Sequence, residues 1–271
     1  SEGLTGFNIV PDALVCLWIE RLAANGISEL LIMESLHDWD NIAEYMKAGR
    51  RAGMQIKIPL VYCESPVHTD AYYAERTAQL MRQLKPDAVY IKDANGIITP
   101  ERVRTLVPAL QEHLADLPLE LHSHCTTGLA PVAYIEAIKL GVRTLHTAVP
   151  PLANGASQPS IQNIIRNAQR LGFETEIDEQ AVQAEVEHFR FVASREGHPE
   201  GVPVEYDVFQ YHHQIPGGMI SNLEFMLAER GLEHRMGEVM EEISKIRVEW
   251  GYPIMVTPFS QILGTQAMLN V

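Results

Sequence analysis

Leu119-Glu-Leu-His-Ser-His-Cys-Thr-Thr-Gly128 is the stretch on which the fold turns. Residues 119–124 read as a short strand, and Thr126-Thr127-Gly128 as the turn that leads the chain into the next helix. Working outward, the same unit recurs. Upstream strands are predicted at 29–33, 56–62 and 88–91, with helices at 12–25, 40–52, 70–84 and 100–114 between and before them. Downstream come a helix at 130–140, Gly141, and a strand at 143–148. Helices of ten or more residues alternating with short apolar strands are the signature of βα units and a parallel sheet. In such folds the loops at the C-terminal strand ends carry the chemistry.

After Ala148 the rhythm changes. Helices are predicted at 160–171, 178–195, 219–230, 234–249 and 258–268, and residues 196–218 are rich in Gly, Pro, His and aromatics. The chain therefore divides into a βα region and a mostly helical region appended to it, with the boundary between 150 and 178 and taken as 1–160 and 161–271.

His122 and His124 stand two apart on the predicted strand, so both side chains point to one face. Two imidazoles on one face at a strand end can take one divalent metal. A hydrogen-bonded core histidine beside a solvent-facing one gives the same pattern. Tyr90-Ile-Lys-Asp-Ala-Asn-Gly96 puts Lys92 at the end of another strand, where a bare ammonium is expensive to bury unless paired or neutralised. Carbamylation by carbon dioxide would convert it into an anionic oxygen ligand; a surface lysine paired with Asp93 is the plainer alternative. Thr147-Ala-Val-Pro-Pro-Leu-Ala-Asn-Gly-Ala-Ser-Gln-Pro-Ser160 and Tyr211-His-His-Gln-Ile-Pro-Gly-Gly218 each join polar side chains to small residues that allow close backbone approach. In Val256-Thr-Pro-Phe-Ser260, Pro258 suits a first helical position with Thr257 as its cap.

Among the 271 residues, 46% are hydrophobic and 21% charged, which excludes a disordered or fibrous chain. Lys plus Arg total 21 against 35 Asp plus Glu, a formal charge of -14 that argues against nucleic-acid or anionic-membrane binding. The three cysteines, Cys16, Cys63 and Cys125, are odd in number and widely spaced, as in a reducing cytoplasm. A cytoplasmic location is expected, with no membrane span or signal peptide in the sequence. The first residue is Ser1 and the last residues run out in a helical pattern without a cap, which reads as a fragment or processed piece.

Taken in order, Lys-Asp-Ala-Asn-Gly, His-Ser-His-Cys-Thr-Thr-Gly, Gly-Ala-Ser-Gln-Pro-Ser, His-Gln-Ile-Pro-Gly-Gly and Val-Thr-Pro form the motif series of one family. The chain resembles the carboxyltransferase component of biotin-dependent enzymes acting on pyruvate and oxaloacetate, from about Gly6 to the C-terminus. The resemblance implies a (β/α)8 TIM barrel of which strands four to eight are present. It also implies a divalent metal of the Zn, Mn or Co type. By motif match Lys92 is the carbamylated ligand, His122 and His124 are the imidazole ligands, and Thr257 shuttles a proton between biotin and the enol of pyruvate. Biotin would come on a separate carrier domain, since no Met-Lys-Met biotin site is present. The partners implied are a biotin carrier protein, pyruvate or oxaloacetate, and further subunits in a homo-oligomer or hetero-complex, with any membrane link only through a partner subunit.

Several positions depart from the family pattern. Cys125 replaces an Asp after His-x-His, Leu31 an Arg, Phe7 a Tyr and Gln261 a Lys. The first three strands, with a metal-ligand Asp and a substrate-binding Arg, have no counterpart, and five strands cannot close an eight-stranded barrel. Two alternatives follow: a non-catalytic or degenerate subunit, and a related metal-dependent barrel lyase or Claisen-type synthase.

Overall fold

Five of the apolar runs form parallel strands: β1 (Glu29–Leu31), β2 (Gln55–Val61), β3 (Ala88–Asp93), β4 (Leu119–Ser123) and β5 (Thr144–Leu145). The structure, a computed structural model, describes residues 10–271, so Gly6 and the expectation about Phe7 lie outside the described residues. The sheet order is β1-β2-β3-β4-β5 and every neighbouring pair is parallel. A doubly wound sheet reverses direction at a switch point. A sheet that always steps the same way is the wall of a barrel, so the partial (β/α) barrel expected from the sequence is what forms.

Alternation gives the wall two unlike faces. Ile56, Ile58, Leu60, Val89, Ile91 and Leu121 turn outward into the main apolar cluster, each essentially inaccessible to solvent. There they meet Val15 and Ile19 of α1 (Asp12–Ala24) and Met46 of α2 (Ala43–Arg51). Leu80 of α3 (Asp70–Gln83), Leu106 of α4 (Pro100–Leu114) and Tyr134 of α5 (Ala130–Lys139) complete the layer. Each such side chain contributes roughly 1.5–3 kcal/mol through burial. Two of these helices start where a hydroxyl accepts an otherwise unpaired N–H: Thr69 Oγ1 from Tyr72 and Thr99 Oγ1 from Arg102. The other face presents Leu31, Lys57, Pro59, Val61, Tyr90, Lys92, Glu120 and His122, as the strand register requires.

The C-terminal half is helical: α6 (Ile161–Arg170), α7 (Glu179–Glu196), α8 (Gln210–His213), α9 (Gly217–Ala228), α10 (Met236–Glu249) and α11 (Phe259–Asn270). Leu223, Leu227, Val239, Ile243, Ile246 and Leu263 build a second apolar cluster, while Ile164 of α6 still packs into the first. A third, small cluster ties the two together at the barrel mouth, where Ile254 and Val256 lie against Val61, Cys63 and Ala94. Among the described residues no helix is long and apolar enough to cross a membrane.

Three local expectations are corrected. The last strand is shorter than 143–148: the ladder stops at Leu145 because Tyr134 Oη donates to the His146 carbonyl at 2.7 Å and Ala148 pairs with Ser160 instead. Helix α9 begins at Gly217, where an added Cβ would sit 2.6 Å from Ala156 Cβ; this glycine permits close packing inside a helix. Helix α11 begins at Phe259, with Pro258 in the capping position, so Thr257 does not cap it.

Candidate active site at the barrel mouth

Strand register brings the candidates together. Lys92 on β3 pairs with His122 on β4, so the two side chains leave the same face side by side. Asp93, the next residue, turns to the outer face. Its Oδ2 accepts from the Ile98 amide at 2.8 Å and from Ser123 Oγ at 2.7 Å. The alternative of a Lys92–Asp93 surface pair is thereby overturned, because adjacent strand residues cannot share a face. The Lys92 ammonium lies 2.9 Å from Met33 Sδ.

His122 and His124 converge. Their Nε2 atoms are 3.1 Å apart, and His124 Nδ1 is 2.5 Å from the Ala156 carbonyl, to which it donates. The Gln158 amide nitrogen is 3.3 Å from His122 Nε2. Burial, then the neighbouring His124, His146 and Lys92, hold His122 down at about 3. His124 is also lowered, chiefly by burial and secondarily by Lys92, against the bond to Ala156. Both rings are therefore neutral at pH 7, which is the ligand form of histidine.

That geometry tests a metal directly. Two ligands at about 2.0–2.1 Å from one ion stand roughly 2.8–3.4 Å apart when adjacent in octahedral or tetrahedral geometry. The observed Nε2 separation falls in that range. Among the described residues no group of three or more His, Cys, Asp and Glu is assembled for a metal. Two imidazoles are fewer ligands than a bound ion needs, and Lys92 is the adjacent group on the same face.

Thr257 belongs to the same mouth. Ser35 Oγ donates to its carbonyl at 3.3 Å, and the preceding Val256 packs with Met33, the residue that touches Lys92. The C-terminal helices are pinned there by polar contacts as well. Gln214 Oε1 accepts from the Glu64 amide at 3.2 Å, and Arg247 Nη2 donates to the Glu64 carbonyl at 2.5 Å. Gly217 of α9 closes against Ala156 and Thr126, so three of the motifs singled out in the sequence meet in space.

Of the positions that depart from the family pattern, Leu31, Cys125 and Gln261 are among the described residues. Glu34 turns into its own loop, where Oε2 accepts from the Leu36 and Asp38 amides at 2.8 and 2.7 Å. Leu31 is 49% exposed on the inner face of β1. Burial pushes the Cys125 thiol up to about 12, with the Asp93 charge adding to it, so this cysteine offers no thiolate. Gln261 sits in the first turn of α11.

Sequence reasoning missed Glu120 and His146. His146 Nδ1 is 3.1 Å from His122 Nδ1, and His146 Nε2 is 2.9 Å from Glu120 Oε2. Lys57 reaches the other Glu120 oxygen at 3.0 Å and Glu29 at 3.0 Å. Burial raises the Glu120 carboxyl, but the bonds from His146 and Lys57 outweigh it and leave it below its ordinary value. The period-two pattern that placed His122 also places Glu120 on the same face, and that signal was available.

Comparisons with known proteins agree with this geometry. Residues 29–188 match the HMGL-like family model, and residues 211–271 match the model of a conserved carboxylase domain. A pyruvate carboxylase subunit of Methanocaldococcus jannaschii is 35% identical over all of this chain and 48% of its own length. The methylmalonyl-CoA carboxyltransferase 5S subunit of Propionibacterium freudenreichii is 30% identical, over all of this chain and 54% of its own. The chain thus spans about half the length of the curated relatives it matches. The solved carboxyl transferase domain of Rhizobium etli pyruvate carboxylase shares the fold, with a TM-score of 0.91 and 23% identity over 99% of this chain and 46% of that one. With more than half its length matched by the HMGL-like model, the chain belongs to the HMGL-like family, and it is similar along its length to subunits and domains of pyruvate carboxylase and its relatives.

Proposed function

We propose that this chain provides part of a metal-dependent site for carboxyl transfer between biotin and the pyruvate/oxaloacetate pair, with biotin delivered on a separate carrier domain. The observation that carries the reading is the convergence of His122 and His124 Nε2 at 3.1 Å beside Lys92, in a mouth walled by Val256 and Thr257. His122 and His124 would hold a divalent cation as neutral donors, and Lys92 would join them as a carbamate. Forming that carbamate takes a neutral amine, which adds to carbon dioxide and releases one proton. A divalent ion held there would supply Lewis-acid stabilisation of enolate charge on the keto acid. Thr257 passes a proton between biotin and the carbon that is the methyl of pyruvate and the methylene of its enol. The apolar cluster of Val61, Ala94, Ile254 and Val256 keeps water from competing for that proton.

The Asp ligand and the Arg for the substrate carboxylate have no counterpart among the described residues, and the proposal assigns them to strands outside this sequence. The division into 1–160 and 161–271 is part of the same reading. The test is carboxybiotin-dependent exchange between pyruvate and oxaloacetate in the complete assembly, with metal content measured alongside. Lys92→Ala and Thr257→Ala should each lower exchange at least about 100-fold; unchanged exchange in both overturns the mechanism. Exposed Leu31 on the inner face favours a second reading, a non-catalytic subunit that contributes an interface. Stoichiometric metal at His122 and His124, together with exchange activity, would exclude it.

A further inference from the structure

Each nitrogen of the His122 imidazole has its own partner. Nδ1 meets His146 Nδ1 and Nε2 meets His124 Nε2, both at 3.1 Å. Register explains why: Glu120 on β4 pairs with Thr144 on β5, so His146, two residues on, stands beside His122. The outer end of this line is Glu120, 3% exposed, whose two oxygens are taken by His146 Nε2 and the Lys57 ammonium.

Hydrogen-bond polarity then runs in one direction. An ionised carboxylate only accepts, so the hydrogen between Glu120 and His146 belongs to His146 Nε2. With its hydrogen directed to Glu120 from Nε2, the His146 imidazole turns Nδ1 to His122 as an acceptor, and the hydrogen between the two Nδ1 atoms belongs to His122. The Nε2 of His122 is then a lone pair, and the Gln158 amide meets it as a donor. His124 reaches the same state independently, because its Nδ1 donates to the Ala156 carbonyl. Two lone pairs therefore face each other at 3.1 Å, an arrangement that repels unless a cation lies between them.

We propose that Glu120 and His146 are positioning residues, which hold His122 in its Nδ1–H tautomer so that the Nε2 lone pair is presented to a divalent cation. The proposal rests on the metal reading given above. In water a neutral imidazole favours the opposite tautomer, so without the pair His122 would place a hydrogen where the ion must bind. Outer partners of this kind fix the ring and raise its basicity, and removing one typically weakens metal binding about 10- to 100-fold. Here the outer partner of the ligand is a second histidine that relays the orientation from a carboxylate one strand position away. Lys57 completes the device by fixing Glu120 from its other side.

Two measurements on the metal-free 271-residue chain test this. Long-range 15N–1H spectra, with His122→Gln to assign the signal, should show His122 as Nδ1–H in the wild type. Calorimetric titration with Zn2+ should show His146→Ala binding about 10- to 100-fold more weakly than wild type, with His122 shifted towards Nε2–H. His146→Asn puts an amide oxygen where Nδ1 stood and accepts the same hydrogen, so it should bind within about threefold of wild type. A packing role alone would be damaged equally by both substitutions, and that result overturns the proposal. A wild type that binds Zn2+ with His122 as Nε2–H overturns the tautomer assignment alone. A wild type that shows Nδ1–H yet binds Zn2+ no better than His122→Gln upholds the assignment and overturns the metal reading.

Discussion

Replacing Asp93 by Asn should help the fold most where the natural carboxylate is charged. Asp93 is fully inaccessible to solvent; burial raises its carboxyl to about 6 from 3.8, in spite of bonds from Ile98, Ser123 and nearby amides. Between those two pH values the folded chain binds more protons than the unfolded one, so stability falls as pH rises. The penalty is complete above the folded value and amounts to roughly 3 kcal/mol at pH 7.5, against roughly 1 kcal/mol at pH 4.5. In Asp93→Asn the amide oxygen can accept from Ile98 and Ser123, while the amide nitrogen occupies the place of Oδ1, which has no partner. That unpaired donor costs about 1–3 kcal/mol, but equally at both pH values. The stability difference between variant and wild type should therefore move by roughly 2 kcal/mol in favour of Asn on going from pH 4.5 to pH 7.5. Urea unfolding followed by tryptophan fluorescence reads this, since Trp39 is 2% exposed in the main core while Trp18 and Trp250 are 45% and 48% exposed. A difference that is the same at both pH values, or that moves the other way, refutes the account of Asp93 as a charge held at a loss.

Tyr134→Phe should destabilise the chain by about 2–4 kcal/mol, because the hydroxyl serves both the Ser123 amide and the His146 carbonyl in a fully buried site. The same urea titration measures it, and faster hydrogen exchange at the Ser123 amide should accompany the loss. Thiol labelling at pH 8 should modify Cys16 in the folded chain and reach Cys63 and Cys125 only after unfolding. Those two are 0% and 2% exposed, and burial raises both thiols; rapid native labelling of more than one thiol contradicts this.

The βα wall was legible because its signal is local: Ile56, Ile58 and Leu60 alternate within one strand and Leu106 and Leu110 recur along one helix. The end of β5 was not, because it is set by Tyr134 and Ser160, residues on other elements. His122 and His124 could be placed on one face from spacing alone. That Nε2 atoms would converge depended on Ala156, a residue 32 positions away. His146 escaped notice for a related reason: its meaning comes from lateral register between β4 and β5, which no single stretch of sequence displays. Thr257 looked like a helix cap by local chemistry, and the fold places it instead over Ser35 at the mouth.

The mouth cluster has a consequence for how the molecule comes into being. Ile254 and Val256 cover Val61, Cys63 and Ala94, and Ser35 reaches Thr257 across 222 positions of sequence. A ribosome delivers Val61, Cys63 and Ala94 long before it delivers the residues that cover them. Until residue 257 has emerged, this end of the nascent barrel wall stands uncovered, and closure of such long loops is slow relative to local folding. The mouth therefore closes late in the synthesis of this stretch, and a product that stops short of Thr257 leaves Val61, Cys63 and Ala94 without their cover.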